Sequence, residues 1–371
     1  MTPSSRSQPE TLALLRELAA TPRPTGSEAI AKARERCARE LRELGFAVTE
    51  LPFEYSQFPG RFGTPLIGAA AAASVGIAGA LALTGQAIAA VMVMSLSVAL
   101  LAFVGWLLVR DGTAVLPLLR ARGVNLQALS GEQMPTTWLV AHLDTKSQPI
   151  PSLLRALGTL LEVFGFLMVW ALTFLCAVGY EPHEMFWYFG ASVTILGAIP
   201  VMLSVVGTRS PGALDNASGV VAVIEAVRHL SRKKDVGVLI TDAEELGLAG
   251  ARAWQPPAPV LAVLNCDGID DSGDIQIMFT GEQPEGLTAA IDRAALAIGV
   301  RHNVGRMFPG ILTDSIPFAN ANIEAVTFSR GTRRSLLRVH SRRDDLEHLS
   351  GTGIAQVAKL MTQTVNELRK G

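Results

Sequence analysis

The sequence is poor in charged residues and in cysteine. Charged residues form 18% of the 371 residues and hydrophobic residues form 49%. In soluble domains about 25% of the residues are charged. The low charge therefore disfavours a purely soluble protein, and the high hydrophobic content excludes a disordered one. Basic and acidic residues balance at 32 and 33, so no nucleic-acid partner is expected. Three cysteines, Cys37, Cys176 and Cys266, argue against a disulfide framework. The start MTPSSRSQPE lacks a signal-peptide pattern.

Long uncharged stretches account for the missing charge. Residues 62–109 contain no Asp, Glu, Lys, Arg or His, and a membrane span needs about 20 apolar residues. The turn Gly85-Gln86 divides this stretch into a hairpin, and a second hairpin is interrupted only at 181–184. The alternative, buried helices of a large soluble protein, is disfavoured because core helices rarely exceed about 18 residues without a charge. The four predicted spans are 64–84, 87–109, 163–180 and 185–208.

Basic residues predict the orientation of these hairpins. Both hairpins leave and return on the side that carries the rest of the chain, and the connecting turns contain no Lys or Arg. The positive-inside rule therefore predicts a multi-pass membrane protein whose remaining domain is cytoplasmic and in contact with the bilayer. Segment 150–162 is amphipathic and is expected to lie along the membrane surface. The basic residues on the domain side are Arg61, Arg110, Arg120, Arg122, Lys146, Arg155 and Arg209.

The rest of the chain is expected to form one domain, made of residues 1–61, 110–149 and 209–371. Hairpin 1 occupies residues 62–109, and the surface segment together with hairpin 2 occupies residues 150–208. Apolar strand-like runs alternate with helical periodicity in this remainder. The alternation predicts an α/β fold with a mixed, largely parallel sheet and helices on both faces. The predicted strands are 46–55, 136–140, 236–240, 260–264, 275–279 and 326–328; the predicted helices are 9–20, 27–44, 217–230, 246–254, 285–298 and 351–369.

Acidic and histidine residues follow several of these strands. Such positions lie at the carboxyl edge of the sheet, where α/β proteins place their sites. Clustered anions repel one another unless cations neutralise them, and mixed His and carboxylate ligation by a pair of divalent ions suits zinc. The residues concerned are His142, Asp144, Asp215, Asp242, Glu244, Glu245, Asn265, Asp267 and His340.

Two pairs of neighbours in this set have different expected roles. Adjacent side chains at a strand end diverge, so we expect one of Glu244 and Glu245 to bind a metal and the other to accept a proton. By the same reasoning Cys266 points away from Asp267 and is expected to be a core residue rather than a ligand.

Five spaced motifs resemble the di-zinc exopeptidases of metallopeptidase family twenty-eight, which include aminopeptidases Y and S. They are H-L-D at 142–144, G-A-L-D-N-A-S-G at 212–219, E-E-L-G-L-A-G at 244–250, N-C-D at 265–267 and V-H-S-R-R-D-D at 339–345. R-P-T-G-S-E at 23–28 and T-D-S-I-P-F at 313–318 are similar to that family too. The two inserted hairpins are a departure, and the second separates Asp144 from Asp215.

The resemblance implies two zinc ions and hydrolysis of a peptide bond by a metal-activated water, with the chain acting as an aminopeptidase. It also implies roles for seven residues. His142 and Asp267 would bind one zinc, Glu245 and His340 the other, and Asp215 would bridge them, with Asp144 orienting His142 and Glu244 as general base.

Other functions stay open at this point. A carboxypeptidase or a glutaminyl cyclase would use similar ligands, and a non-catalytic receptor or scaffold would keep the fold but typically lose ligands. A transporter is disfavoured because no predicted span carries a mid-membrane charge pair.

The short tethers of hairpin 2 next to Asp144 and Asp215 predict an active-site opening towards the bilayer, and hence a membrane-proximal peptide substrate. The arginines near His340 have two interpretations, a basic rim towards anionic lipid or a site for a substrate carboxylate or oxyanion. They are Arg330, Arg333, Arg334, Arg338, Arg342 and Arg343. Side-chain preference and oligomeric state are left open.

Overall fold

A computed structural model describes residues 8–110, 116–131, 134–308 and 310–370. The chain divides into two compact units. We call the first the sheet unit, which comprises the described residues up to Tyr55, Arg120–Ser147 and those from Thr208 onwards; the second, the helical unit, comprises Ser56–Leu119 and Gln148–Gly207. Residues 1–7, where the signal-peptide prediction falls, lie outside the described residues.

In the described residues of the sheet unit, eight strands form one sheet in the order β1-β2-β4-β3-β5-β8-β6-β7. Strands β4, β3, β5 and β8 are mutually parallel neighbours, β6 and β7 are parallel, and β2 and β6 run antiparallel to β4 and β8. The strands are β1 (Ala47–Ser56), β2 (Arg120–Leu129), β3 (Thr137–His142), β4 (Val236–Thr241), β5 (Ala262–Ile269), β6 (Asp274–Phe279), β7 (His302–Arg306) and β8 (Glu324–Gly331).

Helices cover both faces of this sheet. Leu139 and Ala141 of β3 belong to one buried cluster, whereas Trp138 and Val140 belong to another, as expected for side chains that alternate along a strand. The predicted mixed, largely parallel α/β fold is therefore confirmed. The helices of this unit are α1 (Gln8–Leu18), α2 (Glu28–Glu43), α7 (Ser218–His229), α8 (Ala249–Ala253), α9 (Glu285–Ile298), α10 (Ser315–Asn320), α11 (Arg333–Arg338) and α12 (Thr352–Leu368).

The predicted helix 246–254 differs from the structure. A single 3-10 turn, Glu244–Leu246, precedes the short helix α8. Gly247 and Leu248 between them have φ values of 107° and 60°, and this left-handed backbone cannot continue a right-handed helix. The break sets both glutamates on a tight turn at the sheet edge.

The helical unit contains α3 (Thr64–Leu83), α4 (Ala87–Arg110), α5 (Ser152–Ala177) and α6 (Glu184–Met202). Among the described residues these are the helices that are long and apolar enough to cross a membrane. Helix α5 begins at Ser152, so the predicted surface segment and the third span form one continuous helix. Its first turns are rich in Leu, which is a good helix former, and Gly158 alone does not interrupt them.

Glycines allow close packing of α5 and α6. A Cβ atom on Gly165 of α5 would lie 2.7 Å from the carbonyl oxygen of Gly190 on α6. Small residues at helix interfaces let backbones approach in membranes, where apolar side chains gain nothing by leaving the lipid. The glycines therefore let the backbones of α5 and α6 come into direct contact.

Candidate metal centre

The carboxyl ends of three neighbouring parallel strands carry most of the centre. His142 is the last residue of β3 and is paired with Thr241 at the end of β4, which leads into the Glu244–Leu246 turn. Asp267 lies in β5, which is the other neighbour of β3. Parallel strands end at one edge, so these side chains converge there.

One imidazole faces three carboxylates. His142 Nε2 lies 3.1 Å from Asp215 Oδ1, 3.5 Å from Asp267 Oδ1 and 3.9 Å from Glu244 Oε2. His142, Glu244 and Asp267 form one group whose possible donor atoms lie within 4.8 Å of one another. The carboxylate closest to this imidazole nitrogen is thus that of Asp215.

A second imidazole faces the other oxygen of Asp215. His340 Nε2 lies 3.0 Å from Asp215 Oδ2 and 3.2 Å from Glu245 Oε2, and Asp215, Glu245 and His340 form the second group of possible donors. The two oxygens of one carboxylate are therefore directed to two different imidazoles. The backbone of His340 is left-handed, with φ 61°, a conformation that non-glycine residues adopt at some cost and that is common at functional sites.

Burial and charge set opposite protonation tendencies within the centre. Burial acts to raise the pKa of Asp215, but its hydrogen bonds with His142 and His340 outweigh burial and lower the pKa well below its usual range. Burial also opposes ionisation of Glu245, yet the charges of His340 and Lys146 lower its pKa to about 2. For Glu244 burial dominates and raises the pKa well above its usual range. The two neighbouring glutamates thus have divergent acidities, as expected for groups with different roles.

The carboxylate of Asp144 holds the turn that carries these glutamates. Its oxygens accept hydrogen bonds from the backbone N–H of Glu244 at 3.0 Å and of Glu245 at 3.1 Å. His142 Nδ1 lies 3.1 Å from the backbone oxygen of Asp144 and 3.7 Å from its carboxylate. The sequence predicted that Asp144 orients His142, and in the structure the backbone carbonyl is the nearer group.

Asp344 is a residue that the sequence analysis did not single out. Its carboxylate accepts hydrogen bonds from the backbone N–H of Leu214 at 2.6 Å and of Asp215 at 3.1 Å. Burial, assisted by the charge of Asp215, raises its pKa to about 7. The only sequence signal was its place in the His340 motif, four residues after the histidine.

Lys146 and Arg23 were also not assigned to the centre. Lys146 Nζ lies 2.6 Å from Glu245 Oε2, so a fixed cation already faces this carboxylate. Arg23 is buried, and its guanidinium donates hydrogen bonds to the carbonyls of Leu143 at 3.0 Å, Pro211 at 2.7 Å and Gly212 at 3.0 Å. It therefore ties the segment after His142 to the turn before Asp215.

Two other expectations concern residues beside the centre. Cys266 is fully buried in the main core cluster, as expected for a packing residue.

Of the arginines near His340, Arg338 lies 3.5 Å from Asp270 and Arg330 donates to Gln356 at 2.8 Å. The other four are exposed: Arg333, Arg334, Arg342 and Arg343. Both interpretations of this arginine cluster stay predictions.

The donor set fits a pair of divalent metal ions. Four carboxylates and two imidazoles gather at one buried edge in two groups, each with donor atoms close enough to share an ion. Imidazole nitrogen and carboxylate oxygen are the ligands of tetrahedral and five-coordinate zinc sites. A backbone carbonyl fixes the other ring nitrogen of His142, as is usual for a metal-binding histidine.

Comparison with known proteins agrees with this geometry. Residues 196–365, a little under half of the chain, match the sequence model of Peptidase family M28. The match and the fold together support an M28 metallopeptidase. The sequence match also supports the resemblance of the motifs to metallopeptidase family twenty-eight. The aminopeptidase Y or S subtype stays a prediction. No curated protein matches the chain.

Solved structures share the fold at low sequence identity. A zinc aminopeptidase from Bacillus subtilis has a TM-score of 0.58 and 14% identity, over 97% of this chain and 95% of that one. An aminopeptidase from Aneurinibacillus sp. strain AM-1 has a TM-score of 0.55 and 14% identity, over 97% and 93%. Fimbriiglobus ruber glutaminyl cyclase has a TM-score of 0.56 and 14% identity, over 98% of both chains. At such identities the likeness shows that the chain shares the fold of these proteins, and a shared fold does not by itself imply a shared reaction.

Proposed function

We propose that this protein is a membrane-anchored, di-zinc aminopeptidase. One observation carries the proposal: Asp215 directs Oδ1 towards His142 at 3.1 Å and Oδ2 towards His340 at 3.0 Å. A carboxylate in this position is suited to bridge two ions, and each imidazole has a further carboxylate beside it. The M28 match supports a hydrolase of peptide bonds.

In this proposal His142 and Asp267 bind one zinc, and Glu245 and His340 bind the other, with Asp215 shared. Glu244 is left free to act as the general base. Its carboxylate is the most distant of the three from His142 Nε2, at 3.9 Å, which supports a role beside the ions rather than as a ligand. Glutamine at this position would keep the size of the side chain and remove its ability to accept a proton.

When bound, two zinc ions would supply Lewis acidity that lowers the pKa of a water molecule towards about 7. The protein's own contribution is proton transfer and positioning. Glu244 accepts one proton from the attacking water and delivers it to the leaving amine nitrogen, so that a C–O bond forms as the C–N bond breaks. Burial raises the pKa of Glu244, in the direction that favours proton uptake by a general base.

Asp144 acts through the turn rather than on the substrate. By accepting hydrogen bonds from the backbone of Glu244 and Glu245, it fixes a general base and a ligand with one carboxylate. Asp344 holds the backbone of Asp215 in the same manner. Outer residues of this kind commonly change metal affinity or activity about 10–100-fold when they are replaced.

The membrane part of the proposal rests on the four apolar helices and on the distribution of Lys and Arg around them. It assigns the sheet unit to the cytoplasm. The chain leaves the sheet unit after Ser147 and returns at Thr208, and the Ser147 hydroxyl accepts a hydrogen bond from the backbone N–H of Arg209 at 2.9 Å. Because Ser147 lies so close in sequence to Asp144, we propose membrane-proximal peptides as substrates.

A glutaminyl cyclase is the second candidate, because a protein of that activity shares the fold over nearly the whole of both chains. The two reactions differ in what happens to the substrate's amino end. An aminopeptidase releases the first residue, whereas a cyclase closes an amino-terminal glutamine with loss of ammonia and leaves the peptide bonds intact.

The test is a substrate panel on the full-length protein in detergent or vesicles. It comprises free aminoacyl fluorogenic amides, the same amides with a blocked amino group, and a peptide with amino-terminal glutamine, each with zinc and with a chelator. Zinc-dependent release from the free amides alone is the expected result. Release only from amino-blocked substrates, or cyclisation without cleavage, would contradict an aminopeptidase, and no turnover of any substrate by zinc-loaded protein would favour a non-catalytic protein.

A further inference from the structure

An acidic residue that is not part of the metal centre is buried in the helical unit. Glu162 lies within α5, and only 5% of its surface is exposed. At 1.5 Å per residue it is about 15 Å along the helix from Ser152. Among the described residues, the span interiors contain no other Asp or Glu. Ionisable residues inside spans are rare, and they usually mark a functional position.

Glycines on two neighbouring helices border Glu162. A Cβ atom added to Gly68 of α3 would lie 3.5 Å from Glu162 Oε1 and 2.9 Å from a methyl group of Val201 on α6. A Cβ atom on Gly197 of α6 would lie 2.4 Å from the backbone nitrogen of Glu162. The carboxyl group therefore lies beside Gly68 of α3 and close to Val201 of α6, while Gly197 lets the backbones of α5 and α6 approach at Glu162.

The carboxyl group lacks polar partners in the part of the chain that the structure describes. Its Oε1 atom is buried and accepts no hydrogen bond, and no charged group interacts with it. The charged groups nearest in sequence on the packed helices are engaged elsewhere or lie at helix ends: Arg155 bonds to Gln148, Arg61 bonds to Gln57, and Glu184 begins α6.

An unpaired carboxylate is strongly disfavoured in such a place, so a positive ion must accompany it. A metal cation would need several oxygen ligands, whereas the described span interiors offer no second carboxylate. A proton needs only the carboxylate itself. We propose that Glu162 is a proton-binding site inside the membrane helices, occupied as a neutral carboxylic acid, and that this proton permits the close packing of α3, α5 and α6.

This inference rests on the proposed membrane anchoring and is independent of the proposed peptidase reaction. Removing the proton would leave a charge between three closely packed helices. Because the glycine contacts leave little room for water, we expect the helices to separate when Glu162 ionises. The packing of the helical unit would therefore depend on pH even in protein without bound zinc.

The experiment uses dicyclohexylcarbodiimide, an apolar reagent that reacts with protonated carboxyl groups within membranes. The carboxylic acid adds across one C=N bond, and the O-acylisourea rearranges to a stable N-acylurea that retains every atom of the reagent. Full-length protein in lipid vesicles is labelled from about pH 6 to about pH 9, digested and analysed by mass spectrometry. A parallel sample is washed with alkaline carbonate to confirm that the chain is integral to the membrane.

We expect the apolar reagent to modify Glu162 and the modification to be lost as the pH rises. Glu181 and Glu184, at the turn before α6 and at its first residue, are matched controls that should react only with a water-soluble carbodiimide. Glu162→Gln should also abolish any fall in melting temperature towards high pH, whereas Glu184→Gln should retain it.

Membrane-integrated protein in which Glu162 stays unmodified at every pH would overturn the proposal. Protection of Glu162 by sodium or potassium ions at constant pH would overturn it in favour of a cation site. Release of the chain by carbonate would overturn the anchoring and this inference together. None of these three results would bear on the metal content of the sheet unit.

Discussion

Asp144 and Glu244 are joined by a 3.0 Å hydrogen bond from the backbone N–H of Glu244 to a carboxylate oxygen of Asp144. The bond joins the segment that follows β3 to the turn that follows β4. It holds the backbone of the proposed general base, Glu244, in place. The other oxygen of Asp144 accepts the N–H of Glu245 in the same way. One buried carboxylate thus positions two glutamates whose proposed roles differ.

The first prediction separates those roles. Glu244→Gln should lower kcat by at least about 100-fold, the range expected for loss of a general base, and leave the zinc content near that of the wild type. Glu245→Gln should lose zinc, because it removes the carboxylate that faces His340 at 3.2 Å. Both variants are measured by amide hydrolysis and by elemental analysis of the dialysed protein. Loss of zinc in Glu244→Gln would mean that Glu244 is a ligand.

The second prediction concerns Asp144. Asp144→Ala removes acceptors for two buried backbone N–H groups, and we expect zinc affinity or kcat to fall by about 10–100-fold. Asp144→Asn keeps one acceptor oxygen and should fall between the wild type and the alanine variant. If both variants bind zinc and turn over like the wild type, the hydrogen bonds to the glutamate turn have no role in the site.

The third prediction concerns Arg23, which is fully buried and donates to three carbonyls on two segments of the centre. Arg23→Lys has fewer donors in a different geometry and should leave at least one carbonyl unpaired, which lowers the free energy of unfolding by about 1–3 kcal/mol. Arg39→Lys is the matched control, because Arg39 is exposed on α2. Equal melting temperatures for the two variants would refute the structural role of Arg23.

Much of the sheet unit could be predicted from the sequence because its buried strands are continuous apolar runs. The strand prediction 236–240 matches β4, and the turn residues after it were placed at the sheet edge. Strand β2, with the sequence RARGVNLQAL, was missed because its charged residues and glycine hide any alternation. Asp344 was missed because its importance lies in two backbone N–H groups of a distant segment, which no local pattern records.

The helical unit shows a different limit of sequence reasoning. Its four helices follow directly from the absence of charge, but Arg155 and Glu162 made the start of α5 look like a separate amphipathic segment. In the structure the helix is continuous from Ser152. Glu162 lies beside glycines of two neighbouring helices, and only the packing reveals that an ionisable residue is buried there.

The fourth prediction concerns orientation. The turn between α5 and α6 should be on the side of the membrane opposite to the sheet unit, because the basic residues gather on the sheet unit's side. His183→Cys, in a background with Cys176 replaced by Ala, should react with an impermeant maleimide added outside intact cells, whereas a cysteine at exposed Arg39 should react only after permeabilisation. The reverse pattern would invert the topology, and equal labelling of both positions in intact cells would show that the helices do not separate two compartments.

Zinc stoichiometry tests the two-metal centre most directly. Full-length protein, loaded with zinc and then dialysed, is analysed by mass spectrometry of the metal alongside Asp215→Ala. The arrangement of Asp215 between His142 and His340 predicts two zinc ions per wild-type chain and a loss of tight binding at both positions in the variant. One ion or none in folded wild-type protein, or two ions retained in Asp215→Ala, would contradict the account.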